Sequence, residues 1–250
     1  MSIRKGNPFI PYKKADTVIV DGRGKKIIDK LVHMGINVIP TIKHEKLYEA
    51  ISYHPDIILH PINYTTLIVE PSMFYYYKDK LRNTNIKLIK GEKHLGKEYP
   101  DNIAYNVARV SKYAIHNLKY TDEKLLYYLK KEGIEFIDVN QGYTKCSIAN
   151  LSENTIITSD PSIYNKALKY GIDVLYIKEG FIKLPGLDYG FIGGTCGLLR
   201  KKEILFTGKY EKHIDYNNIE KFLKKHEVKP IFLSNKEIID LGSIIPLLCN

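Results

Sequence analysis

The feature that most constrains this chain is an internal repeat. Five short β-branched runs recur along it: TVIV (Thr17 to Val20), TLIV (Thr66 to Val69), YAIH (Tyr113 to His116), TIIT (Thr155 to Thr158) and ILFTG (Ile204 to Gly208). Each precedes ten to twelve residues of helical character, over Arg23 to Met34, Ser72 to Leu81, Thr121 to Glu132, Pro161 to Tyr170 and Asp215 to His226. Within these, apolar residues return at three and four, as in Ile27, Ile28, Leu31 and Val32. Ser72 and Asp215 are expected to cap their helices, Thr121 is followed by two acids, and Pro161 suits a first helical turn. A short strand follows each helix, beginning near Gly35, Asn85, Gly133, Gly171 and Glu227, with glycine where a helix end favours a left-handed residue.

A further apolar run lies ahead of four of these units: Asp56 to His60, Asn102 to Val107, Cys146 to Asn150 and Tyr189 to Gly194. The fifth is missing from the N-terminal side and is found instead as GSIIPLL, Gly242 to Leu248. A strand–strand–helix–strand unit divided between the two ends places the last unit beside the first. The expected fold is therefore α/β, a five-bladed propeller of ββαβ modules whose ring closes when the C-terminal strand pairs with the N-terminal module. An open array would instead require capping repeats with polar outer faces. The modules fall at 240–250 plus 1–41, 52–92, 99–141, 142–180 and 188–235, within one domain spanning 1–250.

Composition narrows the setting. Three scattered cysteines, Cys146, Cys196 and Cys249, have neither zinc-site spacing nor the density of a disulfide scaffold, so reduced thiols are expected. No run approaches the ~20 apolar residues that cross a bilayer, and the start lacks a secretory h-region; a cytoplasmic protein without membrane contact is the expectation. Lys and Arg number 38 against 28 acids, a net charge of +10, but the lysines are dispersed along helices and read first as solvated surface. A nucleic-acid or ribosome partner bound through a basic face stays open as the alternative.

Five such modules resemble the pentein fold, the α/β propeller of the guanidino-group-modifying enzymes and of a non-catalytic ribosome anti-association factor. GFIGGTCGLL (Gly190 to Leu199), ILFTG and DLGSIIPL (Asp240 to Leu247) are also similar to an uncharacterised bacterial family with the guanidino-group-modifying-enzyme fold. The resemblance implies a central channel in which acids hold a guanidinium, a cysteine attacks its carbon and a histidine moves the proton. In those enzymes the cysteine lies on the strand that closes the ring and the histidine begins the module two before it. The matching places here are Ser243 and the stretch Gln141 to Tyr143, so the usual Cys/His positions are not retained. If the chain is an enzyme, a C–N hydrolase or amidinotransferase, the resemblance leaves a relocated pair: Cys196 as nucleophile, and His54 or His60 from the second module, with His60 assigned as the shuttle.

The expected ligand is a small cation of the amidine or guanidine type, facing Asp56, Asp101, Asn106, Tyr143, Asn150, Asp188, Asp240 and Ser243. For the aspartates the alternative is a shared turn into each strand, as in His54-Pro55-Asp56 and Tyr99-Pro100-Asp101; for Asn106 and Asn150 it is a hydrogen bond between modules. His33, His44, His94, His116, His213 and His226 show no metal-ligand spacing, and neither metal nor cofactor is expected. Tyr75, Tyr76 and Tyr77 point three ways from one helix, leaving a ring for a homodimer contact.

Overall fold

A computed structural model describes residues 6–249. Among these residues the chain is a mixed α/β structure with five separate three-stranded sheets. The first joins β1 (Thr17–Val20) to β2 (Asn37–Pro40) around α1 (Lys25–His33). The second follows the one-turn helix α2 (Pro55–Ile58) with β3 (Leu59–Asn63), β4 (Thr66–Val69), α3 (Phe74–Lys80) and β5 (Lys87–Lys90). β6 (Ala108–Val110), β7 (Tyr113–His116), α4 (Glu123–Lys131) and β8 (Glu135–Asp138) form the third. The fourth has α5 (Thr144–Ser147), β9 (Ile148–Ser152), β10 (Thr155–Thr158), α6 (Pro161–Lys169) and β11 (Asp173–Tyr176). The fifth has β12 (Cys196–Arg200), β13 (Glu203–Phe206), α7 (Tyr216–Lys225) and β14 (Lys229–Phe232), and β15 (Ile245–Leu247) completes the first.

Every unit repeats one pairing rule. The first strand runs antiparallel to the second, and the second runs parallel to the third across its helix. A parallel pair needs such a crossover, whereas the antiparallel pair needs only a turn. β15 supplies the missing partner of β1, with Thr17 opposite Leu247 and Ile19 opposite Ile245. Burial falls across each sheet: β3, β6 and β15 are wholly buried, while β5 and β8 expose two residues each. The first strands thus lie innermost and read as apolar, and the third strands form half-wet outer edges. No helix among the described residues is long and apolar enough to cross a membrane.

The first strands start later than their apolar runs predict. Pro55–Ile58 and Thr144–Ser147 curl into single helical turns, and Gly193–Thr195 into a 3-10 turn, before the strands begin at Leu59, Ile148 and Cys196. The strand expected over Asn102 to Val107 forms only at Ala108. These turns carry the polar groups that a pleated strand would have driven into the apolar layers.

The caps differ as well. Asp122 and Asp160 accept first-turn N–H groups of α4 and α6, Pro161 takes the first helical position as expected, and Asp215, expected to cap α7, makes no side-chain cap bond. Asp122 also accepts from Glu92 N, Lys93 N and the Tyr105 hydroxyl, which ties the third unit to the strand exit of the second. Thr121 instead bonds the His116 ring. Of the three tyrosines on α3, Tyr77 is buried, Tyr76 donates to Pro40 O and Tyr75 is 70% exposed.

Ser72 does not cap α3. Its N–H and hydroxyl donate to Glu70, a buried carboxylate that also meets His44 Nε2 at 3.3 Å and His94 Nδ1 at 3.1 Å. Burial would push the Glu70 carboxyl up, but the bonds from His44 and Ser72 outweigh it and hold it down at about 2. A folded-state value below the ordinary one stabilises the fold above pH ~4.5, and that stabilisation fades as pH falls from there toward 2. Glu70→Gln is expected to cost on the order of 3 kcal/mol at pH 7, because buried donors lose a charged acceptor. The gap between variant and parent should narrow in urea melts at pH 3; a gap independent of pH would remove the charge from this account.

Candidate active site

The turns ahead of the first strands converge, and one polar group from each of the five units joins a single buried network. From α2, Asp56 accepts a hydrogen bond from the Ser243 hydroxyl, which lies two residues before β15. From α5, Lys145 Nζ donates to Ser243 Oγ at 2.9 Å and approaches Gly193 O, of the fifth unit, at 3.5 Å. Ser243 Oγ also lies 2.8 Å from Gly193 O, so its one proton is shared between two acceptors while Lys145 fills its lone pair. The third unit contributes Asn106. Its Nδ2 donates to Asp56 O at 3.0 Å and faces Cys146 Sγ at 3.1 Å, and its Oδ1 accepts from the N–H groups of Lys145 and Cys146 at 2.8 and 3.2 Å.

Cys146 is the reactive-type atom of this network. Its thiol donates to the Asp56 carboxylate, with Sγ 3.3 and 3.2 Å from Oδ1 and Oδ2. Asp240 stands close by, its Oδ2 and Oδ1 accepting from Phe191 N at 2.8 Å and Gly242 N at 2.9 Å. His54, the residue before α2, places Nδ1 3.9 Å from Asp240 Oδ1, and neither of its ring nitrogens has a hydrogen-bond partner although the side chain is 1% exposed. One ligand-type atom each from His54, Asp56 and Cys146 lie within 4.8 Å of one another.

Electrostatics keeps this cluster neutral where it can. Burial pushes the Cys146 thiol well up, reinforced by the Asp56 and Asp240 charges. Burial also raises Asp56, against the pull of Lys145 and the Ser243 bond. Asp240 is pushed up to about 7 by burial and by Asp56, and His54 is lowered to about 3 by burial and by Arg23. The thiol and the imidazole are therefore both neutral in the ground state.

A cavity of ≈ 250 Å³ opens onto Cys146, His54 and Asp240. Tyr48, Tyr143, Tyr189 and Phe191 form aromatic walls, with Asp188 exposed at its side, and no Lys or Arg lines it. The Tyr143 hydroxyl donates to Asn102 Oδ1 at 2.7 Å, which fixes that wall. Gly193 and Gly194 in the G-G-T-C-G segment allow the close packing behind it. A Cβ on Gly194 would sit 1.9 Å from Asp240 Oδ1, and one on Gly193 would meet three carbonyl oxygens within 2.6 Å.

Of the residues expected to face a ligand, Tyr143, Asp188 and Asp240 line this cavity, while Asp56, Asn106 and Ser243 lie beneath it in the network. Asn150 serves instead as a link between units, donating to Arg109 O at 2.8 Å, and Asp101 is exposed away from the cavity lining. Cys196 and His60, the pair assigned to catalysis, do not meet by any hydrogen bond among the described residues. Cys196, the first residue of β12, packs in an apolar cluster, its thiol directed at Ile192 O and pushed up to about 12 by burial. His60 is buried edge-on to Phe9 at 5.5 Å and lowered well below its ordinary value by burial. The thiol, imidazole and carboxylate that do come together are Cys146, His54 and Asp56. A Cys/His/Asp group is thus present, though not at Ser243 and Gln141 to Tyr143, where the resemblance marks it.

The fold is that of the pentein structures, shared at low sequence identity. Similar solved structures include the inosamine-phosphate amidinotransferase of Streptomyces griseus, 13% identical with a TM-score of 0.58 over 96% of both chains. An amidinotransferase of the saxitoxin biosynthetic pathway from Microseira wollei is 14% identical, with a TM-score of 0.56 over 90% of this chain and 91% of that one. A dimethylarginine dimethylaminohydrolase from Pseudomonas aeruginosa, solved with citrulline, is 9% identical with a TM-score of 0.54, covering 88% and 92%. No curated protein matches the sequence. The chain belongs to the family described as "Family of unknown function (DUF6873)", whose sequence model matches residues 19–245.

Proposed function

We propose that this chain is a cysteine-dependent enzyme acting on the central carbon of a small amidine or guanidine, its five units arranged as one α/β propeller domain around the Asp56–Lys145–Ser243 network. The observation that carries the reading is the Cys146 thiol at the cavity floor, hydrogen-bonded to Asp56. A planar cation is served by the rest of the lining: Asp240 and Asp188 supply negative charge, and the tyrosine and phenylalanine faces attract cations. With no Lys or Arg in the lining to receive an acid group, the reading extends to a ligand whose charge is positive only. The structural likeness to amidinotransferases and to a dimethylarginine dimethylaminohydrolase supports the same chemistry.

In the proposed step, the thiol passes its proton to Asp56 as sulfur bonds to the amidine carbon. The C–N bond to the leaving nitrogen then breaks and that nitrogen departs as an amine carrying the proton. Water, or a second amine, displaces sulfur and restores the thiol. A cation in the cavity also offsets the two carboxylates that hold the thiol neutral, so the ligand itself favours the nucleophilic thiolate.

Two alkylating reagents of equal shape and different charge test this. Chloroacetamidine, a cation, should modify Cys146 at least about tenfold faster than neutral chloroacetamide, as located by peptide mass spectrometry, since ~1.4 kcal/mol of charge attraction suffices for that ratio. Cys196 and Cys249 should show no such preference. Equal rates at Cys146, or a preference at Cys196 instead, would sink the assignment.

A further inference from the structure

His54 is unusual for a buried side chain. It is 1% exposed, yet neither Nδ1 nor Nε2 has a hydrogen-bond partner, whereas buried polar groups in folded chains are nearly always paired. One of these nitrogens, an Asp56 carboxylate oxygen and Cys146 Sγ all lie within 4.8 Å of one another. We infer that His54, Asp56 and Cys146 form a binding site for one thiophilic divalent cation such as Zn²⁺, with the cavity face left as its exchangeable fourth position.

Three observations carry this. First, Zn–S and Zn–O lengths of about 2.3 and 2.1 Å at a tetrahedral angle separate the two donors by about 3.6 Å. Cys146 Sγ and the Asp56 oxygens already stand 3.2–3.3 Å apart across a hydrogen bond, so replacing the thiol proton with the metal needs only a slight spreading. Second, the donor set of thiolate, imidazole and carboxylate favours zinc and disfavours the all-oxygen cations magnesium and calcium. Third, Asp240 Oδ1 at 3.9 Å from His54 Nδ1 provides a carboxylate behind the imidazole, the arrangement that orients metal-bound histidines. The donors sit on rigid supports: His54 and Asp56 flank Pro55 at the start of α2, and Cys146 is held in α5 by Asn106.

Binding is an exchange of charge for charge. The Cys146 S–H bond breaks, a sulfur–metal bond forms and one proton leaves to solvent. The same sulfur cannot hold the metal and attack a carbon, so an occupied site silences the proposed nucleophile. The metal site itself does not rest on the enzymatic reading, because its donors are a matter of geometry.

The test uses the full chain stripped with a chelator. Cobalt(II) added to it should give a thiolate-to-cobalt charge-transfer band at one equivalent, absent from Cys146→Ser and retained in Cys196→Ser. Competition against a chromophoric zinc chelator should show His54→Ala binding at least about 100-fold more weakly than the parent. Zinc should also protect Cys146 from chloroacetamide. Absence of the cobalt band in the parent, or a band that survives Cys146→Ser, overturns the inference without reference to either variant's stability. Zinc uptake without any amidine preference would leave the metal site standing and remove the enzyme reading; the reverse result would do the opposite.

Discussion

Asp240→Asn should sharply weaken the preference of Cys146 for a cationic reagent. Asp240 is the carboxylate on the cavity floor, and measured at pH 8 it carries a charge, because burial and Asp56 together set its titration at about 7. A unit charge about 6 Å from a bound cation, at an effective dielectric constant near 20, contributes on the order of 3 kcal/mol, enough for roughly a hundredfold difference in rate. In the variant the ratio of chloroacetamidine to chloroacetamide modification should fall at least about tenfold, Asp188 and the aromatic faces keeping what preference remains. The neutral reagent alone should react faster than with the parent, since one of the charges holding the Cys146 thiol up is gone. The substitution also has a structural cost. Asp240 accepts from both Phe191 N and Gly242 N, and an amide can accept at one side only, which leaves a buried donor unpaired at about 1–3 kcal/mol. A thermal melt run beside the labelling separates the two effects. An unchanged ratio in a folded variant would mean that Asp240 does not hold the cation.

Gly242→Ala should be among the most destabilising single-atom additions in the chain, at about 4 kcal/mol. Gly242 has φ +69, where a Cβ is strained, and that Cβ would stand 2.2 Å from His54 Cβ and 2.5 Å from its Cα. Backbone cannot yield as a flexible side-chain tip does, so either α2 or the strand entry must move. The next residue, Ser243, is itself at φ 72 and holds the Asp56 bond, so displacement here reaches the network directly. We expect a Tm lowered by more than 10 °C together with loss of cation-selective labelling at Cys146. Gly35→Ala is the comparison: φ is +73, but nothing lies within 4 Å of its Cβ, so it should cost only about 1–2 kcal/mol. Similar losses in both variants would show that dihedral strain, and not the contact with His54, governs Gly242.

The middle strands, the helices and the shared pairing of the two chain ends were all legible in the sequence, because each rests on a local signal. TVIV, TLIV and TIIT are β-branched runs, and glycines at Gly35, Gly133 and Gly171 do stand at left-handed helix ends. The site was legible only in part. Asp56, Asn106, Tyr143, Asp240 and Ser243 stand out as polar groups in apolar surroundings, and all join the network or line the cavity. Cys146 escaped because C-S-I-A-N reads as the start of a strand, whereas Thr144–Ser147 is a helical turn whose side chains follow a different period. The signal that finds it is positional. Asn106, Cys146, Gly194 and Ser243 each stand two residues before a first strand, a register visible only once the true strand starts are known. Flanking glycines single out Cys196 in the sequence, but those glycines serve the packing of Asp240 and the α5 carbonyls against the turn.

The pairing of β15 with β1 has a further consequence in time. β1 belongs to the opening residues of the chain, and its antiparallel partner at Ile245–Leu247 lies more than two hundred residues downstream. At ribosomal rates of about 5–20 residues per second, that partner emerges roughly ten to forty seconds after β1 does. Throughout that interval β1 keeps one edge open, and Asp240, Gly242 and Ser243 are not yet available to Asp56 and Lys145. The strand that completes the first sheet arrives with the residues that complete the centre, so a nascent chain acquires its last sheet edge and its reactive thiol's surroundings in the same event.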